Sequence, residues 1–320
     1  MKSARSVRIF TGISIATLAI SAISALAFGT VSASITKIDA FAGIDKRPDK
    51  KSSAINYLLV GSDTREGLTK AELKELRVGS VATAAGKRSD TMLLVHISKA
   101  RDKAVLVSIP RDTFALIPAH LNKAGKTIPA VHSKINSAFN WGGAPLLIQT
   151  IEEMTQLKID HYVEVNFAGF ASVIDSLGGI EVCTKKDIDD PKSHLVLPAG
   201  VHTLNGIEAL KYVRTREFDG MGDLGRMQRQ QAFMSSVLKK ATSAGVLLNP
   251  ITMTSFINSS LAAVTTDEGL KNSDLITLAK QMKSLATSNV RTLTVPLSDL
   301  NYYSNGVTAA VLWDPVLAPE

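Results

Sequence analysis

Cysteine is almost absent: Cys183 is the single one in 320 residues. A lone cysteine closes no internal disulfide, so the fold must hold without one. There is no CxxC pair and no spaced Cys/His set, which leaves a zinc site without ligands. The six histidines are scattered, with no HExxH, and neither G-x-S-x-G nor a P-loop occurs. Zinc-peptidase, serine-hydrolase and P-loop readings therefore have no support. Charged residues make up only 20% of the chain and hydrophobic ones 45%, so it is not disordered and has the means to bury a core. Cys183 ends the apolar run from Ile180 and reads as a core residue.

Charge is also missing from residues 9–36, which carry Ile13, Ile15, Leu18, Ile20, Ile23, Leu26 and Phe28. About 20 apolar residues suffice for a helix to cross a bilayer. Lys2, Arg5 and Arg8 precede the stretch, and no acidic residue appears before Asp39. Positive charge on the short flank keeps that flank in the cytoplasm. A cleaved secretory signal is the alternative, because Ala25-Leu26-Ala27 fits a small-x-small cleavage site. The apolar run continues to Ile35, which favours an uncleaved anchor. Either way, the rest of the chain is exported.

The net charge of +7 points to anionic partners: phospholipid, phosphorylated glycan or nucleic acid, the last weakened by export. The expected organisation is a cytoplasmic N-terminus (1–8), a transmembrane anchor (9–35), a polar linker (36–54) and an extracytoplasmic domain (55–320). No internal repeat is present.

Runs 55–60, 91–97 and 104–109 are short, apolar and rich in β-branched residues, as in strands buried on both faces. Residues 66–87 read as a charged surface excursion and 123–131 as a loop. Leu146, Leu147, Ile148, Ile151 and Met154 have helical spacing, and 162–165 reads as a strand. Asn166 is placed to cap a helix bearing Phe167, Phe170, Val173, Ile174 and Leu177, with Gly178 to end it. A strand over 180–183 follows. Asn205 and Glu208 form a capping-box pattern. A helix runs from about 223 to 244, residues 250–288 read as mostly helical, and 290–295 as a late strand. Strand–helix–strand alternation predicts an α/β fold with a mixed central β-sheet between helices.

Asp63 follows the first strand and Asp90 precedes the second. If those strands are antiparallel neighbours, both carboxylates fall at one sheet edge. Two carboxylates completed by water and substrate oxygens suit magnesium; the alternative is that each Asp caps its own turn. Arg65, Arg88, Arg111, Arg214, Arg216, Arg226 and Arg229 lie near these carboxylates or in one later segment. Arginine's planar fork grips phosphate oxygens in pairs, so a diphosphate clamp is one reading and a salt-bridged surface the other. Asp223, Arg226 and Gln230 share a helix face at i, i+3 and i+7. Gly220, Gly222 and Gly225 spell G-x-G-x-x-G, but no strand leads into them and Asp223 would repel a pyrophosphate, so a dinucleotide fingerprint is rejected.

Taken together, several motifs carry a family resemblance: YLLVGSDTR at 57–65, RSDTM at 88–92, VSIPRD at 107–112, KINSAF at 134–139, the Gly178-Gly179 segment, LNG at 204–206, YVRTR at 212–216 and DLGRMQRQQ at 223–231. In this order, over roughly 55–245, they resemble the LytR–CpsA–Psr proteins of Gram-positive and actinobacterial envelopes. The resemblance implies transfer of a glycopolymer from a polyprenyl-diphosphate carrier to peptidoglycan, leaving a phosphodiester link. It implies magnesium, or manganese in its place, on Asp63 and Asp90. It implies a diphosphate held by Arg88, Arg111, Arg214, Arg216 and Gln230, with Arg226 nearby. Asp223 is the preferred general base and Asp112 the alternative. Phe167, Phe170 and Phe233 either line a lipid pocket or belong to the core. A binding scaffold without turnover, or a diphosphate hydrolase, would use the same residues.

Overall fold

In a computed structural model of the chain, the structure describes residues 35–64, 68–76, 89–122, 124–215, 222–241, 243–247, 249–271, 274, 290–304 and 306–317. The expected cytoplasmic N-terminus and anchor lie outside these residues, apart from Ile35. Among the described residues, no helix is long and apolar enough to cross a membrane.

The chain opens with β1 (Thr36–Ile38), β2 (Ile55–Ser62), α1 (Lys70–Leu76), β3 (Ser89–Ile97) and β4 (Ala104–Ile109). It continues with β5 (Phe114–Ile117), β6 (His120–Leu121), β7 (Thr127–Ile128), β8 (Val131–Lys134), α2 (Ile135–Thr155), β9 (His161–Val165) and α3 (Phe167–Ser176). Then come β10 (Ile180–Thr184), β11 (Ile188–Asp190), β12 (Leu195–Leu197), β13 (Gly200–Leu204), α4 (Gly206–Arg214) and α5 (Gly222–Ala241). The last elements are α6 (Ala244–Leu247), α7 (Pro250–Ala262), β14 (Val264–Asp267), β15 (Val290–Thr294), β16 (Leu297–Ser304) and β17 (Val307–Trp313).

Seven strands form the central sheet, in the order β1-β14-β9-β2-β3-β4-β15. It is mixed: β2 runs antiparallel to β3 and parallel to β9, and β4 runs antiparallel to β3 and parallel to β15. Period-two alternation gives each strand two apolar faces. Leu58, Val60, Met92, Leu94 and Tyr162 enter one core with Leu147, Ile148 and Ile151 of α2. Tyr57, Leu59, Val95 and Val163 face the other way, around Leu270. A second large core joins α3, α4, α5 and the β10–β13 ribbon through Ile174, Ile180, Leu204, Tyr212 and Phe233. Each large apolar side chain buried this way contributes about 1.5–3 kcal/mol. The expected α/β fold with a mixed sheet flanked by helices is the one observed.

Two expected caps are present. Asn166 accepts from the Gly169 amide, and Asn205 with Glu208 completes a full capping box. Within α2, Gly143 adopts φ +65° and ψ −151°, a conformation essentially confined to glycine. That break resets the helix direction. Pro145 then falls in the first turn of the second half, where it removes no helical hydrogen bond.

Four readings need correction. Residues 36–47, expected as a linker, belong to the domain. β1 pairs in parallel with β14, Ala40 is fully buried, and Ile38, Phe41 and Ile44 pack on the main core. Arg47 then grips the buried Glu152 of α2 through two nitrogens, at 3.0 and 2.7 Å. Residues 250–288, expected as mostly helical, open as the helix α7 but turn to strand at β14, where consecutive β-branched residues favour it, and 272–273 and 275–288 lie outside the described residues. Cys183 is exposed, because β10 pairs only with β13 and buries alternate residues on one face. The stretch from 123 to 131 is not simply a loop: it supplies β7 and the start of β8.

Candidate active site

The register of the sheet assembles one edge. Gly61 faces both Thr91 and Val165, Met92 faces Ile109, and Ser108 faces Thr294. The C-terminal ends of β2, β4, β9 and β15 therefore meet the N-terminal end of β3. Asp63 leaves β2 at this edge. Beyond Gly61–Thr91 the next pair is Ser62–Ser89, so Asp90 is the extra residue of a bulge in β3. Bulges re-aim a strand locally and recur beside active sites. β2 and β3 are antiparallel neighbours, and both aspartates stand at one edge on adjacent strands. Ser62, which is buried, shares a 2.9 Å hydrogen bond with Thr64.

Arg111 sits in the turn after β4, and α2 fixes that turn. The Ile135 amide donates to the Thr113 carbonyl (2.8 Å) and the Asn136 amide to the Arg111 carbonyl (3.2 Å). The helix spends amides that lack intrahelical partners on the Arg111 turn. The buried Thr113 hydroxyl also accepts from the Trp313 indole at 3.1 Å. The C-terminal hairpin thereby closes against the same turn. Asp112 bridges two cations: Oδ2 lies 3.4 Å from Arg111 Nε, and Oδ1 lies 3.1 Å from Lys134 Nζ.

Arg214 ends α4, with its guanidinium 5.3 Å from the centre of the Phe167 ring. Phe167 opens α3 directly after β9, so the contact brings Arg214 to the same sheet edge. Two side chains of α5 hold the end of α4. Gln230 Nε2 donates to the Val213 carbonyl (3.2 Å), and Arg229 donates to the Thr215 carbonyl (2.6 Å). Gln230, expected on the diphosphate, thus has a hydrogen bond to backbone here. Arg229 was counted among the arginines but given no role, and it is 8% exposed. It lies beside the Tyr212 phenol, whose pKa is raised by burial and held back by that arginine. Its surroundings, RMQRQQ at 226–231, carry no local sign that this arginine turns inward.

Of the other expected residues, Arg65, Arg88 and Arg216 lie outside the described residues. Asp223 and Arg226 are placed on α5 by their backbone, as Asp90 is on β3, and their side chains lie outside the description. Phe233 is 1% exposed and packs 5.8 Å from Phe170 and 6.1 Å from Tyr212, so it is a core residue in this structure.

Comparison with known proteins agrees with the fold. The chain is 37% identical over 264 residues to a probable cell wall biosynthesis protein LcpB of Corynebacterium glutamicum, covering 82% of this chain and 59% of that one. It is 35% identical over 204 residues to the polyisoprenyl-teichoic acid–peptidoglycan teichoic acid transferase TagT of Bacillus subtilis, covering 62% and 56%. The chain spans little more than half the length of these curated relatives. Among solved structures, B. subtilis TagV superposes with a TM-score of 0.62 at 27% identity, over 84% of this chain and 94% of that one. TagT bound to LI-WTA superposes at 0.58 and 26%, over 89% and 94%. The family described as LytR_cpsA_psr matches residues 26–315, nearly the whole chain, and the chain belongs to that family.

Proposed function

We propose that this protein transfers a glycopolymer from a polyprenyl-diphosphate carrier to a peptidoglycan hydroxyl. The observation that carries the reading is the gathering of Asp63, Asp90, Arg111 and Arg214 at one edge of the sheet. The relatives named for teichoic acid transfer to peptidoglycan support it.

In this reading the acceptor oxygen attacks the phosphorus that bears the glycan. The bond from that phosphorus to the bridging oxygen breaks, the carrier departs as a monophosphate, and the acceptor proton passes to Asp223. Such transfers need little from a protein beyond positioning and charge neutralisation. Arg111 and Arg214, with Arg88 and Arg216, grip the diphosphate; Asp112 and Lys134 brace Arg111. The donor set fits a magnesium or manganese ion: adjacent aspartates supply hard oxygens, and substrate phosphate completes the shell. When bound, the ion supplies neutralisation of phosphate charge. Residues 9–35 hold the domain at the outer membrane surface, where the carrier's head group lies, and so raise its effective concentration.

The test combines purified full-length protein, a lipid-diphosphate donor and a peptidoglycan oligomer. Ligated product is expected, and Arg111→Ala or Arg214→Ala should abolish it. Full activity in both variants would refute the clamp. Release of phosphorylated glycan into water without acceptor would indicate hydrolysis instead. Omitting the divalent ion should stop turnover, and a C-terminal reporter active only outside the cytoplasm is the expected topology.

A further inference from the structure

The strands that follow Arg111 make a ribbon whose outer face is unusual. β5 and β8 pair antiparallel, with Phe114 opposite Lys134 and Leu116 opposite His132. Directly paired residues share a face. The inner face carries Ala115 and Ile117, both buried against α2 in the main core. The outer face carries Phe114, Leu116, His132 and Lys134. A two-stranded ribbon with one covered face ordinarily turns polar groups to water. Here Leu116 is 46% exposed, His132 is exposed, and the Phe114 ring stacks on the His132 ring at 5.0 Å and 7°. Tyr302 of β16 meets Phe114 edge-on, also at 5.0 Å. Aromatic residues are only 5% of this chain, so a row of rings turned outward is not a by-product of composition.

We propose that this face binds the glycan strand of the acceptor. The inference rests on the transferase reading above and names the surface that reading lacks. Stacked rings offer a flat apolar surface for the C–H face of a pyranose, while His132, Lys134 and the Tyr302 hydroxyl offer partners to sugar hydroxyls and to acidic groups on the strand. The row is continuous with the site. Lys134, opposite Phe114 on this face, is 3.1 Å from Asp112, which is 3.4 Å from Arg111. A strand lying along the ribbon would bring a hydroxyl towards the clamped diphosphate. The donor already carries a diphosphate for the arginines and a lipid tail. The acceptor has neither, so its affinity must come from a surface of this kind.

The test uses full-length protein and a lipid-free disaccharide-repeat fragment of peptidoglycan with its stem peptides. Leu116→Ser with His132→Ala alters exposed positions only, and Phe114→Leu removes a ring while keeping the site apolar. Loss of the stacking surface should weaken fragment binding about tenfold and raise the acceptor KM alike, with donor affinity unchanged. Unchanged fragment affinity and acceptor KM in both variants would overturn the proposal. So would weaker binding of the lipid-free donor polymer with fragment affinity retained, which would assign the face to donor glycan. If the wild type binds the fragment and the variants lose it, yet nothing is ever transferred, the surface stands and the transferase reading fails.

Discussion

Replacing Arg229 by Met separates positioning from stability. The substitution keeps most of the side-chain stem and removes the guanidinium that donates to the Thr215 carbonyl at 2.6 Å. Losing a charge-assisted hydrogen bond at a site only 8% exposed costs about 2 kcal/mol, or roughly 3–4 °C in Tm for a chain of this size. From a starting stability of even ~5 kcal/mol, about 3 kcal/mol remains and over about 99% of molecules stay folded. Unfolding therefore removes almost no activity at 25 °C. The turn after Arg214 is another matter, because it loses its inward anchor, and a shift of about 1 Å in a charge clamp is worth about 100-fold in rate. Transfer rates and Tm measured in parallel for wild type, Arg229→Met and Arg229→Lys decide the point. Lys can donate to the same carbonyl and should restore at least a tenfold part of the lost rate. A Met variant within threefold of wild type would refute the reasoning.

Three further outcomes follow from the packing. Arg47→Met leaves the Glu152 carboxylate, which is 1% exposed, without its cation and should cost about 3 kcal/mol in urea denaturation, partly recovered by adding Glu152→Gln, which removes the charge and keeps an acceptor for the Ile159 amide; a cost under about 0.5 kcal/mol would return residues 36–47 to a linker role. Burial would raise the Asp267 carboxyl, but hydrogen bonds from His161 and the Tyr162 amide, with the nearby His161 charge, outweigh it and hold its pKa below the usual carboxylate range. Its contribution is thus present above the unfolded pKa of about 4 and lost as pH falls through the lower folded value, so Asp267→Asn should lose stability at neutral pH and differ little from wild type at strongly acidic pH. Gly206→Ala drives a Cβ into the Ala171 backbone of α3 and should cost about 1–3 kcal/mol by calorimetry, whereas an unchanged Tm would place α4 off α3.

What the sequence made legible was local. The apolar runs of β2, β3 and β4 announce themselves, and Asn166 and Asn205 sit where helix caps belong. The aspartate pair was readable because a two-strand argument needs only adjacency. What stayed hidden depends on distant partners. β1 is a polar Thr-Lys-Ile strand that becomes structure only because β14 is there to pair with it. Cys183 lies in an apolar run, yet its strand pairs with one neighbour and covers one face. Nothing in the local pattern separates the inward Arg229 from the arginines beside it. β14 did leave a signal, since Val264-Thr265-Thr266 is a β-branched run, but it follows a helix without a glycine or proline to mark the change.

The central claim is that phosphorus moves with the glycan. The most direct measurement is transfer from a donor labelled with 32P only at the phosphate next to the sugar, with separation of lipid from peptidoglycan after reaction. Phosphotransfer predicts label on peptidoglycan and an unlabelled carrier monophosphate. Label retained in a carrier diphosphate, with unlabelled glycan on the wall polymer, would contradict the account.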